Sequence, residues 1–186
     1  MIYMETLFGH QSSIFSLGMV HLGGNDYNPI TSSDDTTCRY WKINEETQLV
    51  FKNAHTSSVD SVCNGPQKGT FVSASQDGSL ALWSISKKSP IYTQRKAHDG
   101  KWLTSCAMFQ QSDLLFSGSH NDKLNLYQCD GSSIKSVNSV KIRGFINSIA
   151  IAPHSKYVVA AVGCEHKFGR WFFDKDVQNR IDIIKL

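Results

Sequence analysis

Short runs of alternating apolar and polar residues, separated by turn residues, fill this chain. Residues 70–75 and 79–85 form two such runs, and the turn between them is Gln76-Asp77-Gly78. Alternating side chains along a strand face opposite sides of a sheet. An Asp-Gly pair favours a tight hairpin, because glycine adopts positive φ without steric penalty. The pattern therefore predicts antiparallel strands, and no stretch between the strands has the pattern of a helix.

The predicted strands fall into four groups of four. The first two groups lie at 14–17, 29–33, 38–43 and 49–52, and at 59–63, 70–75, 79–85 and 91–95. The other two lie at 103–109, 114–119, 123–129 and 136–142, and at 146–151, 157–162, 169–173 and 180–186. This grouping predicts four consecutive four-stranded antiparallel sheets.

An aromatic residue recurs at the same point of each group. Trp41, Trp83, Tyr127 and Trp171 are spaced by 42, 44 and 44 residues. A period of this length, with a tryptophan near the end of the unit, is typical of the four-stranded blades of WD-repeat proteins. The sequence thus predicts an all-β fold, a WD-repeat β-propeller with four consecutive blades.

Polar residues recur with the same period. The set is His10, Asp35 and Trp41 in the first unit, His55, Asp77 and Trp83 in the second, and His98 in the third. A His beside an Asp is also the composition of an acid–base pair. Recurrence in successive units favours a structural hydrogen-bond network in each blade instead, with the hydroxyls of Ser73 or Ser75 available in the second. Asn121 and Tyr127 replace Asp and Trp in the third unit, which predicts a weaker network there.

The four units belong to one partial propeller domain over residues 1–186, with unit boundaries at about 8–52, 53–96, 97–142 and 143–186. Residues 1–7 take the place of an orphan outer strand whose own blade is missing. WD-repeat propellers commonly have about seven blades, so four resemble the C-terminal part of a larger ring. An open arc exposes strand edges and apolar blade faces. We therefore expect missing N-terminal blades, a partner chain or self-association to close the ring.

Composition and motifs exclude several other classes of protein. No apolar run approaches the roughly 20 residues needed to span a bilayer, so we expect no membrane contact. The sequence has no nucleophile elbow and no phosphate-binding loop, which argues against an enzyme and against a cofactor. The five cysteines are odd in number, with no Cys-x-x-Cys pair. They predict small buried side chains in a reducing compartment, and no metal site.

Charge is distributed unevenly along the chain. Residues 1–86 hold four basic and eight acidic residues, whereas residues 87–186 hold fifteen basic and eight acidic ones. The basic second half suggests an anionic partner, with nucleic acid the first candidate. A lysine-rich solvated surface is the alternative, and charge alone slightly favours this alternative.

The fourth unit departs furthest from the repeat. Arg143-Gly144 stands where a Gly-His pair is expected, and residues 163–172 replace the hairpin turn. This segment places His166, Lys167 and Arg170 beside aromatic residues, a composition suited to phosphate contact and base stacking. Alternatively, its aromatic side chains pack between blades while the cations reach water. The neighbouring metal-capable residues of 164–166 alternate between faces of a strand, so a compact metal site is not expected.

Two segments of this unit resemble a specific family. Residues 144–148 read Gly-Phe-Ile-Asn-Ser, and residues 163–171 read Gly-Cys-Glu-His-Lys-Phe-Gly-Arg-Trp. These segments, and shorter stretches along the whole chain, are similar to the WD-repeat protein of the U3 small nucleolar ribonucleoprotein. The resemblance implies a non-catalytic scaffold that binds the box B/C region of U3 small nucleolar RNA beside a small kink-turn-binding protein. It also implies other processome proteins as partners, a nucleolar location and a role in small-subunit pre-rRNA processing.

If that resemblance holds, cations of the third and fourth units are expected to meet RNA phosphates. The candidates are Arg95, Lys96, Lys141, Arg143, His166, Lys167 and Arg170. The alternative function is that of a generic WD-repeat adaptor, which binds peptides or proteins on its rim. The blade pattern alone favours neither function.

Overall fold

The computed structural model describes residues 5–109, 112–152, 157–169 and 172–186. Within these residues the chain forms fifteen strands and one short 3₁₀ helix. The first blade contains β1 (Ile14–Gly23), β2 (Asp26–Ser33), β3 (Cys38–Lys42) and β4 (Thr47–Phe51), with the 3₁₀ helix Ile43–Glu45 before β4. None of these elements is a helix long and apolar enough to cross a membrane.

The second and third blades have the same layout. The second contains β5 (Val59–Asn64), β6 (Thr70–Ser75), β7 (Leu80–Ser84) and β8 (Tyr92–Gln94). The third contains β9 (Leu103–Met108), β10 (Leu114–Ser119), β11 (Lys123–Cys129) and β12 (Ile134–Lys141). In each of the first three blades, consecutive strands pair antiparallel in chain order. The predicted all-β fold of consecutive four-stranded blades is confirmed for this part of the chain.

The fourth blade differs from its prediction. It contains β13 (Phe145–Ile151), β14 (Tyr157–Gly163) and β15 (Arg180–Lys185), and β15 pairs directly with β14. The predicted strand 169–173 is therefore not the third strand of this sheet. Residues 170–171 lie outside the described residues, and Phe173 makes only an isolated bridge with Glu165. The physical reason is that residues 165–168 are bonded to other blades, which draws the chain away from the edge of β14.

The predicted orphan strand at 1–7 is only partly within the described residues. Residues 5–7 lie outside the strands, and residues 1–4 are not described. A strand requires a neighbour that offers free backbone groups for pairing. The assignment of this segment to an outer strand stays a prediction.

Each pair of neighbouring blades buries an apolar cluster between them. Adjacent residues of β6 belong to two different clusters: Phe71 packs towards the first blade, whereas Val72 packs towards the third. The third blade repeats this division, with Leu115 facing the second blade and Phe116 the fourth. Because the inner blades are covered on both faces, their second strands, β6 and β10, are almost wholly buried. The blades are therefore held by side-chain packing as well as by the chain that connects them.

The two end blades each leave one face uncovered. Ile181 and Ile183 of β15 are 70% and 69% exposed, and Leu17 of β1 is 69% exposed. In the second blade the corresponding apolar residues are buried against a neighbour. The end faces thus have the composition of a blade interface without having one among the described residues.

Candidate nucleic-acid interface

Strand direction brings many of the cations to one edge of the blades. Neighbouring strands of a blade run antiparallel, so one edge of the blade holds the starts of its first and third strands and the ends of its second and fourth strands. We call this edge the upper rim. Exposed basic residues stand at these points in blades two to four: Arg95, Lys96, Lys101, Lys123, Lys141 and Arg143. Lys101 and Lys123 were not among the residues predicted from the sequence. The alternation of strand directions was the signal that could have found them.

The rim cations differ in how far they are neutralised. The Lys123 ammonium lies 3.6 Å from a carboxylate oxygen of Asp99. Arg143 Nη2 lies 3.1 Å from Asp176 Oδ2 and 3.4 Å from Asp174 Oδ2. No carboxylate of the described residues lies within ion-pair distance of the remaining four rim cations, which are Arg95, Lys96, Lys101 and Lys141. Among the rim cations, free positive charge therefore lies at the two junctions that flank the third blade.

A polar groove of about 410 Å³ opens between the second and third blades. Lys96 and Lys123 line it, and the side chains of Gln94, Asn125 and Asn138 add amide donors and acceptors. Asp99 is the opposing charge in the same groove. Amides and ammonium groups of this kind donate hydrogen bonds to phosphate and sugar oxygens.

The segment of residues 164–169, which we call the crossing segment, packs across the inner strands of the other blades. His166 Nε2 lies 2.9 Å from Asp60 Oδ2 on β5, and both side chains are completely buried. Gln76 Nε2 donates to the two oxygens of Asp60 at 2.9 and 3.0 Å. The buried carboxylate is thus bonded from two sides, as a buried charge requires.

Lys167 and Phe168 extend the same contact. Lys167 Nζ donates to the carbonyl oxygens of Asp60 and Thr104, at 2.9 and 3.0 Å. Burial lowers the pKa of the Lys167 ammonium below its ordinary value. The Phe168 ring lies 4.3 Å, centroid to centroid, from Phe15 on β1. The crossing segment therefore contacts the inner strands of blades one, two and three.

These contacts correct part of the predicted RNA site. His166 is 1% exposed and bonded to Asp60, so it has no surface to offer to phosphate. The Lys167 ammonium donates to backbone carbonyls of two other blades, but the residue as a whole is exposed, and its contact with RNA stays a prediction. Arg170 lies outside the described residues. Asp60 was missed by the sequence prediction, although a charged residue in the middle of a predicted buried strand requires a partner and could have marked it.

The recurring His residues are joined to the groups expected of them. In the first blade, His10 Nδ1 lies 2.8 Å from Asp35 Oδ2, and His10 Nε2 lies 2.8 Å from Thr31 Oγ1. Trp41 Nε1 donates to the same Thr31 oxygen. Burial opposes ionisation of Asp35, but hydrogen bonds from Thr37, Gln11 and His10 outweigh it and lower its pKa to about 2.

The second blade inserts a hydroxyl into this network. His55 Nδ1 bonds to Ser79 Oγ at 2.8 Å, and Ser79 Oγ donates to Asp77. His55 Nε2 and Trp83 Nε1 both bond to Ser73 Oγ, at 2.7 and 2.8 Å. Burial opposes ionisation of Asp77, whereas hydrogen bonds from His55, Ser79 and Thr56 lower its pKa overall.

The third blade has the neutral version of the network. His98 bonds to Asn121 Oδ1 at 2.8 Å and to Ser117 Oγ at 2.7 Å. Burial lowers the pKa of His98, which favours the uncharged ring. The Asn121 Nδ2 atom is buried and has no hydrogen-bond partner among the described residues. No group of three metal-capable side chains occurs in the described part of the chain.

Aromatic side chains lie at the upper rim of the fourth blade. His120 stacks on Phe145 at 5.5 Å and contacts Phe172 at 6.2 Å. Phe172 and Phe173 remain 54% and 58% exposed. They line a depression of about 170 Å³ together with Asp174, an ion-pair partner of Arg143. An exposed ring beside a cation is a surface on which a base can stack.

Comparison with known proteins identifies the class. The family WD domain, G-beta repeat matches residues 46–84, and the fold is that of a WD-repeat β-propeller. The chain aligns with 99% coverage to a solved structure described as "Structure of U3-55K", with a TM-score of 0.90 and 37% identity. It covers 58% of that solved chain.

Within this class, the chain is a relative of the U3-associated WD-repeat proteins. It is 38% identical over 154 residues to the mouse protein named U3 small nucleolar RNA-interacting protein 2. It is 31% identical over 198 residues to an Arabidopsis thaliana protein named U3 snoRNP-associated protein-like EMB2271. These alignments cover 76% and 97% of this chain, but only 32% and 40% of the two relatives. The predicted resemblance to the U3 family is confirmed.

Proposed function

We propose that this chain is part of a non-catalytic scaffold that binds U3 small nucleolar RNA and acts in nucleolar small-subunit pre-rRNA processing. Similarity to a protein named for its interaction with U3 RNA supports the assignment of this chain to the U3 particle. The location of the free cations supports the contact surface, which we assign to the upper rim of blades two to four. Other proteins of the same particle, including a kink-turn-binding protein, are the expected neighbours.

One observation carries the choice of surface. Lys123 and Lys141 are direct cross-strand partners at the upper rim of the third blade. Like charges directly opposite each other on a sheet are destabilising. Only Lys123 has a carboxylate nearby, Asp99 at 3.6 Å. A phosphate between or beside the two ammonium groups removes this repulsion and gains two charge-assisted hydrogen bonds.

The surroundings fit an RNA strand better than a peptide. The groove beside Lys123 carries amide and hydroxyl groups suited to phosphate and ribose oxygens. Further along the rim, Phe172 and Phe173 offer exposed rings for unstacked bases. Cations and aromatic rings in succession along one rim are the combination that single-stranded RNA requires.

The rest of the propeller is also part of the proposal. The uncovered end faces, with Leu17 on one and Ile181 and Ile183 on the other, require further blades or a partner chain to cover them. This chain spans less than half of the two curated relatives compared above. Ring closure then places the upper rim in a continuous circle.

The test is the salt dependence of RNA affinity. We expect Lys123→Ala/Lys141→Ala to weaken binding to U3 RNA and to lower the slope of log K against log salt by about 0.7–0.9 for each phosphate that no longer meets a lysine. The matched control is Lys68→Ala/Lys135→Ala, which removes two exposed lysines at the opposite edge of blades two and three. A length-matched unrelated RNA separates specific from general binding.

The outcomes distinguish the two functions. Loss of affinity in the rim variant alone supports the proposed surface. Equal loss in both variants indicates diffuse attraction with no defined site, and it contradicts the surface. If the folded wild-type chain binds U3 RNA no better than the unrelated RNA, the adaptor function is favoured instead.

A further inference from the structure

Two cysteines meet on the inner wall of the propeller. Cys63 lies on β5 and Cys106 on β9, which are the first strands of the second and third blades. Both side chains line one cavity of about 290 Å³. Cys63 is half-buried and reaches solvent from the cavity, whereas Cys106 is 7% exposed. Neither cysteine is in a disulfide.

Ser61 fixes the position of Cys106. The Cys106 backbone N–H donates to Ser61 Oγ at 3.1 Å, and Cys106 Sγ lies 3.5 Å from the same oxygen. Ser61 and Cys63 are two residues apart on β5 and therefore face the same side of the strand. The hydroxyl thus holds Cys106 against the strand that carries Cys63.

Lys167 of the crossing segment supplies positive charge at this place. Its ammonium is bonded to the backbone of β5 at Asp60 and of β9 at Thr104, two residues before Cys106. The Cys63 thiol, the Ser61 hydroxyl and the Lys167 charge together lower the pKa of Cys106. The hydrogen bond to Cys106, and burial, raise the pKa of Cys63. Burial opposes the thiolate at Cys106, but these groups outweigh it, so that a proton is lost from Cys106 more readily than from Cys63.

We propose that Cys106 and Cys63 form a peroxide-reactive dithiol, with Cys106 as the nucleophile and Cys63 as the resolving thiol. The Cys106 thiolate attacks one oxygen of hydrogen peroxide, the O–O bond breaks, and the leaving hydroxide departs as water after it takes up a proton from solvent. The sulfur of Cys63 then attacks the Cys106 sulfenic acid. An S–S bond forms, the S–O bond breaks, and the proton of Cys63 leaves with the hydroxide as a second water. Two thiols are oxidised by two electrons, and the peroxide is reduced.

The other cysteines provide internal references. Burial raises the pKa of Cys38 and raises that of Cys129 to about 11, which disfavours their thiolates. Cys164 is half-buried and lies outside the dithiol cavity. Reactivity follows thiolate character and access, so Cys106 is expected to react first among the five. The product is a covalent link between the inner strands of two blades.

The test is peptide mapping after brief exposure of the folded chain to a small excess of hydrogen peroxide. We expect the wild-type chain to lose two hydrogen atoms and to yield one disulfide-linked pair of peptides, Cys63 with Cys106. Cys63→Ser is expected to accumulate a sulfenic acid at Cys106, which dimedone traps. Cys106→Ser is expected to stay unmodified over the same period. Circular dichroism before the reaction verifies that each variant is folded.

The lysine provides a second readout. Lys167→Met is expected to slow the oxidation of Cys106 several-fold, whereas Lys135→Met, at the opposite edge of the third blade, leaves the rate unchanged. Oxygen addition at Cys106 without the linked peptides would overturn the assignment of Cys63 as the resolving thiol. Oxidation of Cys164 or Cys129 as fast as that of Cys106 would overturn the proposal as a whole.

Discussion

The second and fourth blades are held at the upper rim by different kinds of contact. In the second blade, His55 bonds to Ser79 and Ser73, which are 24 and 18 residues away. In the fourth, His166 bonds to Asp60 in another blade, 106 residues away. The first network fixes the turn of its own blade, whereas the second fixes blades relative to one another. The fourth blade has three strands among the described residues, and its crossing segment contacts the inner strands of the other three blades.

This difference accounts for where positive charge remains available. The crossing segment buries His166 and bonds the Lys167 ammonium to backbone carbonyls, and Arg143 is neutralised by Asp174 and Asp176. The junctions of the more regular blades leave Arg95, Lys96 and Lys141 exposed. The irregular segment thus stabilises the assembly, while the regular rim presents the charge.

The largest expected effect is on the contact between blades. Asp60→Ala removes a completely buried carboxylate to which His166 and Gln76 are hydrogen-bonded. Each of these two side chains loses a buried hydrogen-bond acceptor, at a cost of about 1–3 kcal/mol for each. Urea unfolding of the variant measures this loss. The control is Asp26→Ala, at an exposed aspartate at the start of β2, and an equal loss in both variants would contradict the role of Asp60.

The network within a blade is expected to contribute less. His55→Ala leaves the Ser73 and Ser79 hydroxyls with fewer partners in a buried site, at a cost of about 1–3 kcal/mol. His98→Ala in the third blade should cost less, because its network is neutral and already leaves Asn121 Nδ2 unpaired. Thermal unfolding of the two variants tests this order. A wild-type melting temperature in His55→Ala, together with abolished RNA binding, would reverse the structural interpretation.

Local patterns in the sequence predicted the blades and their networks well. The spacing of Trp41 and Trp83 and the Asp-Gly turn reflect contacts made within one blade. In such a blade, residues close in the sequence are also close in space. Gly78 adopts φ of 80° in that turn, and an added Cβ would lie 2.8 Å from Gly100. The predicted hairpin of the second blade is confirmed.

The crossing segment could not be predicted in the same way. Its composition, cations beside aromatic rings, is shared by RNA-binding loops and by loops that pack on other blades. Only the distant partners decide which residues become buried, and Asp60 lies 106 residues from His166. The sequence located the irregularity of the fourth unit but left two alternatives for its cause. For His166 the packing alternative is the one that the structure supports.

The smallest expected effect concerns the pH dependence of the first blade. The pKa of Asp35 is lowered from 3.8 to about 2 in the folded chain, so its ionised form stabilises the fold above the unfolded pKa. This contribution is present above about pH 4 and is lost as the pH falls towards 2. Asp35→Asn is expected to be slightly less stable than the wild type at pH 6, since the amide still accepts a bond from Gln11 or Thr37. The difference should shrink as the pH falls from about 4 towards 2, and urea unfolding between pH 2 and 6 measures it. A difference that stays constant over this range would show that the charge of Asp35 does not contribute.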